Sequence, residues 1–176
     1  GSSGAWSFGA NATTLQGSLV LAAGSVTAPS TTLLIGGNFA NSATFTHNNG
    51  TVQFNNAGIS TITGTTTFYY LANSTAGSEM NFGANQTFTI AGSLNLAGSL
   101  GNLITLDRFG GTGLDRFAFS VATNQSVAGV DVSNSEVSGT ADITANDSID
   151  RTNTDTPEVS PHWIINEVLP IYTWTG

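Results

Sequence analysis

The chain has 176 residues, with no cysteine, no lysine and three arginines, and a formal net charge of −8 at pH 7. Charged residues make up only 8% of it, against about 25% in ordinary soluble domains, and the first of them is Glu79. This balance excludes a disulfide framework and thiolate zinc sites, argues against nucleic acid because phosphate needs a basic patch, and offers no run of about 20 apolar residues for membrane insertion.

Residues 1–4 read Gly-Ser-Ser-Gly, the mark of either a processed mature end or an expression scar. Short strand-like runs follow at 18–21 and 32–35, closed by Gly36-Gly37-Asn38. Runs at 43–46 and 51–54 flank Asn48-Asn49-Gly50, and those at 60–63 and 66–71 flank Gly64. Further runs lie at 87–90, 93–96, 102–106, 117–121, 129–132 and 142–144. No window of about 12 residues keeps a 3.6-residue apolar period, so no helix is expected. Period-2 alternation predicts an inward set: Leu19, Leu21, Leu33, Ile35, Phe45, Val52, Phe54, Ile62, Phe68, Tyr70, Phe88, Ile90, Leu94 and Leu96.

Two all-β architectures suit these runs. A parallel β-solenoid stacks coils, each giving two or three short strands. An antiparallel β-sandwich or jelly roll would use Asn49-Gly50 as a hairpin turn. The four-residue runs, the Asn/Gly corners and the recurring Thr and Asn favour the solenoid. Residues 1–145 are expected to form it. An acidic Thr/Pro-containing linker or cap is expected at 146–161 and an aromatic tail at 162–176.

The segment from Gly36-Gly37-Asn38-Phe39 to Thr51-Val52-Gln53-Phe54 resembles repeats of large secreted bacterial surface proteins, filamentous and adhesin-like. Ile62-Thr63-Gly64 through Phe68-Tyr69-Tyr70-Leu71, Gly101-Asn102-Leu103-Ile104-Thr105-Leu106 and Val130-Asp131-Val132-Ser133 carry the same likeness. It runs from about residue 32 to 163. It implies a right-handed parallel β-helix at a cell surface, and no activity. The stretch 151–161 departs from the repeat pattern.

Several residues could carry chemistry. Asp107-Arg108-Phe109 and Asp115-Arg116-Phe117 form a small duplication, read either as an arginine pair for a carboxylate or sugar, or as local Asp–Arg pairs. Asp142, Asp147, Asp150, Asn153 and Asp155 supply oxygens at short spacing, as calcium requires, or simply make a polar cap. His47 and His162 are the only histidines, and neither lies in a nucleophile-elbow context. Asn-x-Ser/Thr sequons stand at Asn11, Asn49, Asn73, Asn85, Asn124 and Asn146. In the tail, Trp163, Ile165, Ile171, Tyr172 and Trp174 are candidate anchors on a neighbouring subunit, or a cap on their own chain.

The composition therefore points to a secreted, non-catalytic structural protein that self-associates into a filament or surface layer. A binding module with a flat Thr/Asn face for glycan or for ice is the alternative, its ice version motivated by Thr-x-Thr at 44–46, 61–63, 65–67 and 87–89. The expected partner is the chain itself, with a glycan surface as a second possibility. No catalytic residue and, calcium aside, no cofactor is expected.

Overall fold

A computed structural model describes residues 4–155 and 161–167. Among them there is no helix, and short parallel strands stack into a β-solenoid of about eight turns.

The first coil holds β1 (Ala5–Ser7), β2 (Thr13–Leu15) and β3 (Leu19–Leu21). The second holds β4 (Ser25–Thr27), β5 (Thr32–Ile35) and β6 (Phe39–Asn41). The third holds β7 (Thr44–Thr46), β8 (Thr51–Phe54) and β9 (Ile59–Thr63). From there some strands bend around a corner and serve two sides. These are β10 (Thr66–Asn73), followed by β11 (Glu79–Gly83), and β12 (Thr87–Leu96), followed by β13 (Ile104–Phe109). The last coils hold β14 (Phe117–Val121), β15 (Gln125–Ala128), β16 (Val130–Ser133), β17 (Ser135–Gly139), β18 (Ile143–Thr152) and β19 (Trp163–Glu167).

Register gives the molecule three sides. Thr13 lies beside Leu33, Leu33 beside Val52, and Val52 beside Leu71. One coil thus takes roughly 20 residues. The first side runs β1, β4, β7, the leading half of β10 and of β12, β14 and β17. The second runs β2, β5, β8, the trailing halves of β10 and β12, β15, the leading half of β18 and β19. The third runs β3, β6, β9, β11, β13, β16 and the trailing half of β18.

Alternation explains the core. Leu33, Ile35, Val52, Phe54, Ile62, Phe68, Phe88, Ile90, Leu94 and Leu96 are buried, as is Leu21. Leu19 and Phe45 pack against them, partly exposed. Stacking brings like rings together between coils. Phe39 meets Phe45 and Phe68, each at 5.5 Å between centroids. Phe82 meets Phe88, Phe117 and Phe119 at 5.0, 4.7 and 5.0 Å.

Tyr70 departs from the expected inward set. Between Phe68 and Tyr70 the strand turns the corner from the first side to the second, and its register with β12 shifts there by one, the extra residue lying on β12 between Ile90 and Ser93. Phe68 and Leu71 point inward, and both tyrosines between them stay half-buried at the surface. Two consecutive outward residues at the corner invert the alternation beyond it.

Polar groups inside the corners are satisfied. The Asn41 amide donates to Thr66 Oγ1 at 2.9 Å, and the Thr66 hydroxyl donates to the Gly64 carbonyl at 2.6 Å. Gln125 Oε1 accepts from the Leu94 N–H at 2.9 Å, and its amide donates to the Thr123 carbonyl at 2.8 Å. The Asn41 and Leu94 bonds staple one coil to the next, and the other two brace their own corner, without leaving these buried groups unpaired.

Asn49-Gly50 makes a tight turn but no hairpin. Asn48 and Asn49 sit at φ 48° and 57°, and the Gly50 N–H donates to the His47 carbonyl at 2.9 Å. The flanking strands are not partners: β7 pairs β4, and β8 pairs β5 and β10, all parallel. A left-handed Asn pair serves a solenoid corner as well as it serves a hairpin.

The boundary expected after residue 145 falls inside β18, which continues to Thr152. The acidic residues there alternate with inward ones, since Ser148 is fully buried, accepts from the Val130 N–H at 3.1 Å and donates to the Asn146 carbonyl at 2.7 Å.

Candidate functional site

The most unusual surface is the outer side of the first coil. Trp6 lies beside Val26, and Val26 beside Phe45, a column whose later members pack against the core. Trp6 is nevertheless 69% exposed. It occupies an inward position with no described coil above it. Trp6, Phe8, Leu19, Leu21 and Val26 line a recess of about 380 Å³ there. None of them is charged, and the backbone edges of β1, β2 and β3 are paired on one side only among the described residues. Such a layer offers both apolar area and strand edges to whatever covers it. Little in the sequence marks this layer, because β1 is only three residues long and has no alternation to read.

The first side carries outward hydroxyls in columns. Ser7, Thr27 and Thr46 are neighbours, as are Ser25 and Thr44. Thr67, Thr89, Ser120 and Ser138 form another column. Of the four Thr-x-Thr motifs, the one at 61–63 lies apart from the rest. It belongs to β9 on the third side, where Thr61 faces Asn81. The threonine array is therefore narrower than the motif count suggests.

At the opposite end of the described residues the chain adds a strand to itself. β19 adds to β18 with Trp163 beside Ile143 and Ile165 beside Ala145. Trp163 is 3% exposed, its ring 6.2 Å from Phe119, and its indole N–H donates to Ser135 Oγ at 3.0 Å. Ile165 packs against the same core. Both residues, candidates for a neighbour's grooves, pack on their own chain here, Trp163 fully and Ile165 in part. The remaining anchors, Ile171, Tyr172 and Trp174, lie outside the described residues.

The five oxygen-bearing candidates for calcium serve different partners. Asp142 Oδ1 accepts from the His162 backbone N–H at 3.1 Å, and His162 Nδ1 lies 3.4 Å from it. Asp147 turns a corner at φ 49°. Asp150 accepts from the Thr154 hydroxyl at 2.7 Å. Asn153 donates to Asn134 Oδ1 at 3.0 Å and accepts from Arg116. Asp155 accepts from the backbone N–H groups of Val137 and Trp163 at 2.9 and 3.1 Å. Among the described residues no three histidines or acids converge as a metal site would require.

Burial pushes the Asp155 carboxyl above the usual 3.8, against the pull of those two N–H groups. Between that usual value and the raised one, the folded chain binds more protons than the unfolded chain, so acidification through this window adds stability. Asp155→Asn removes the titration. The margin of the native protein over this variant should widen as the pH falls toward 3.8, read from thermal midpoints across a pH series. A margin that shrinks on acidification would overturn this account.

The duplicated Asp-Arg pairs are loop clamps. Arg108 Nη1 donates to the Gly113 and Asp115 carbonyls at 2.9 and 2.6 Å. Arg116 donates from Nε to the Asn153 carbonyl at 2.8 Å and from Nη2 to that of Thr154 at 2.7 Å. Both guanidiniums hold their own backbone. Asp115 accepts from the Thr112 N–H at 2.8 Å. That bond, helped by Asn85, holds its carboxyl below the usual range. His47 stands far along the chain from His162, its ring 5.3 Å from that of Tyr69.

Comparison of the chain with known protein families, curated proteins and solved structures finds no significant match.

Proposed function

We propose that this chain is a non-catalytic structural segment of a secreted, surface-associated assembly, and that its first coil is the face through which copies join. The observation that carries this reading is Trp6, which holds a core register position and is 69% exposed. The absence of any charge before Glu79 supports it, since nothing on the first coils repels a second copy. Parallel strand stacking supplies the means: a covering layer would extend three sheets at once and bury the tryptophan.

The test is the association state of the full chain against concentration, by light scattering on a sizing column and by negative-stain microscopy. Assemblies should grow with concentration, and Trp6→Asp should return them to monomers with an unchanged β spectrum. Monomers at every concentration would overturn the reading. Deleting residues 162–176 should lower stability, because β19 completes its own chain's last coil. Loss of assembly in that deletion, with the fold intact, would instead make the tail the connector.

A further inference from the structure

We infer that the second side of the solenoid binds an extended, uncharged glycan, lying along the axis in a groove beside Tyr70. Two independent features lead there.

The first is the corner of β10, where the register with β12 shifts by one and the extra residue lies on β12 beside Gly92. The corner places Tyr69 and Tyr70 consecutively at the surface, where unbroken alternation would bury one of them. Their ring centroids lie 4.6 Å apart, and His47 extends the group from Tyr69. The neighbouring coil makes room for this. A Cβ on Gly92 would lie 2.8 Å from Tyr70 Cε1 and 2.9 Å from the Tyr69 carbonyl oxygen. Tyrosine offers a flat apolar face for the C–H side of a sugar ring and a hydroxyl for its edge.

The second feature is the groove itself. Two residues beyond Tyr70, Ala72 lies beside Gln53 on one coil and Asn95 on the other. With Ser126, Ala128 and Asn146 from later coils they line a recess of about 450 Å³. The lining mixes alanines and two larger apolar residues, Leu96 and Val127, with amides and hydroxyls. No ionisable side chain lines it, although the chain as a whole carries a net charge of −8. Amides donate and accept at once, as sugar hydroxyls demand. The lining runs over successive coils whose strands lie about 4.8 Å apart, an extent along the axis that suits a polymer better than a compact ligand. Phosphate or carboxylate polymers find no cation here.

The experiment is isothermal titration of the full chain with cellohexaose, xylohexaose, mannohexaose and chitohexaose, with hexagalacturonate as the anionic control. At least one neutral hexasaccharide should bind. Its affinity should be unaffected by salt, and about tenfold weaker in Tyr70→Ala. Gln53→Ala, a change to a surface amide, should also weaken it and serves if Tyr70→Ala fails to fold. The inference is overturned if none of the four neutral sugars binds, if both variants bind as the native chain does, or if hexagalacturonate binds more tightly. Association of copies is read separately, so either reading can fail alone.

Discussion

Phe82→Ala is expected to destabilise the chain by about 3–5 kcal/mol. Phe82 is fully buried in β11 and touches rings from the two coils that follow: Phe88 of β12 at 5.0 Å, and Phe117 and Phe119 of β14 at 4.7 and 5.0 Å. Truncation removes apolar area and leaves a cavity bounded by backbone on three sides, which cannot collapse without breaking sheet hydrogen bonds. Urea unfolding measures the loss. A value below about 1 kcal/mol would mean that the ring cluster is not tightly packed. Phe54, also fully buried, should behave in the same way.

Gly64→Ala should be comparably severe, for a different reason. Gly64 turns the corner between β9 and β10 at φ 87°. A Cβ there would lie 1.8 Å from the Asn41 carbonyl oxygen of the preceding coil. The left-handed conformation costs a side chain about 1–2 kcal/mol, and forcing the two backbones apart adds about 1–3 kcal/mol. The shift would also strain the bond from the Gly64 N–H to Gln86 Oε1, which is 2.7 Å long. Gly101 provides the control. It has φ 77° and nothing within 4 Å of its would-be Cβ, so Gly101→Ala should show the conformational part alone. Equal losses at the two positions would refute the close approach of coils at Gly64.

These two residues also mark how far the sequence could be read. The solenoid was legible because strands such as Thr51–Phe54 keep strict alternation over four residues. Gly64 was legible as punctuation, though not as the point where one coil touches the last. Phe82 was not legible as core. It stands in Glu79–Gly83, where Glu79, Asn81 and Gly83 give the composition of a loop. Only the register with β9 and β13 turns Met80 and Phe82 inward. Tyr70 was misplaced because the corner inside β10, where the strand passes from one side to the next, leaves no mark in an apolar count. Trp6 was overlooked because three residues are too few for a period.

The candidate sites were harder still. The Asp-Arg duplication looks like ligand chemistry in one dimension, yet both arginines close loops on carbonyl oxygens that only folding brings near. The acids of 142–155 look like one cluster, and the winding of the chain deals them to different neighbours.

Every ladder described above joins a coil to the one before or after it, and the ring contacts and arginine clamps reach at most one coil further. Asn95 answers to Ala72, Thr89 to Thr67, and nothing in the third coil depends on the sixth. Such a molecule has no single keystone. Its end turns can open while the middle remains shut, so exchange of amide hydrogens should quicken toward the termini in a gradient. Lengthening the rod needs no redesign of what is already built. One further turn of matching register, gained by duplication, would be accepted by the turns on either side of it, and the reach of the molecule could drift in evolution by whole turns at a time.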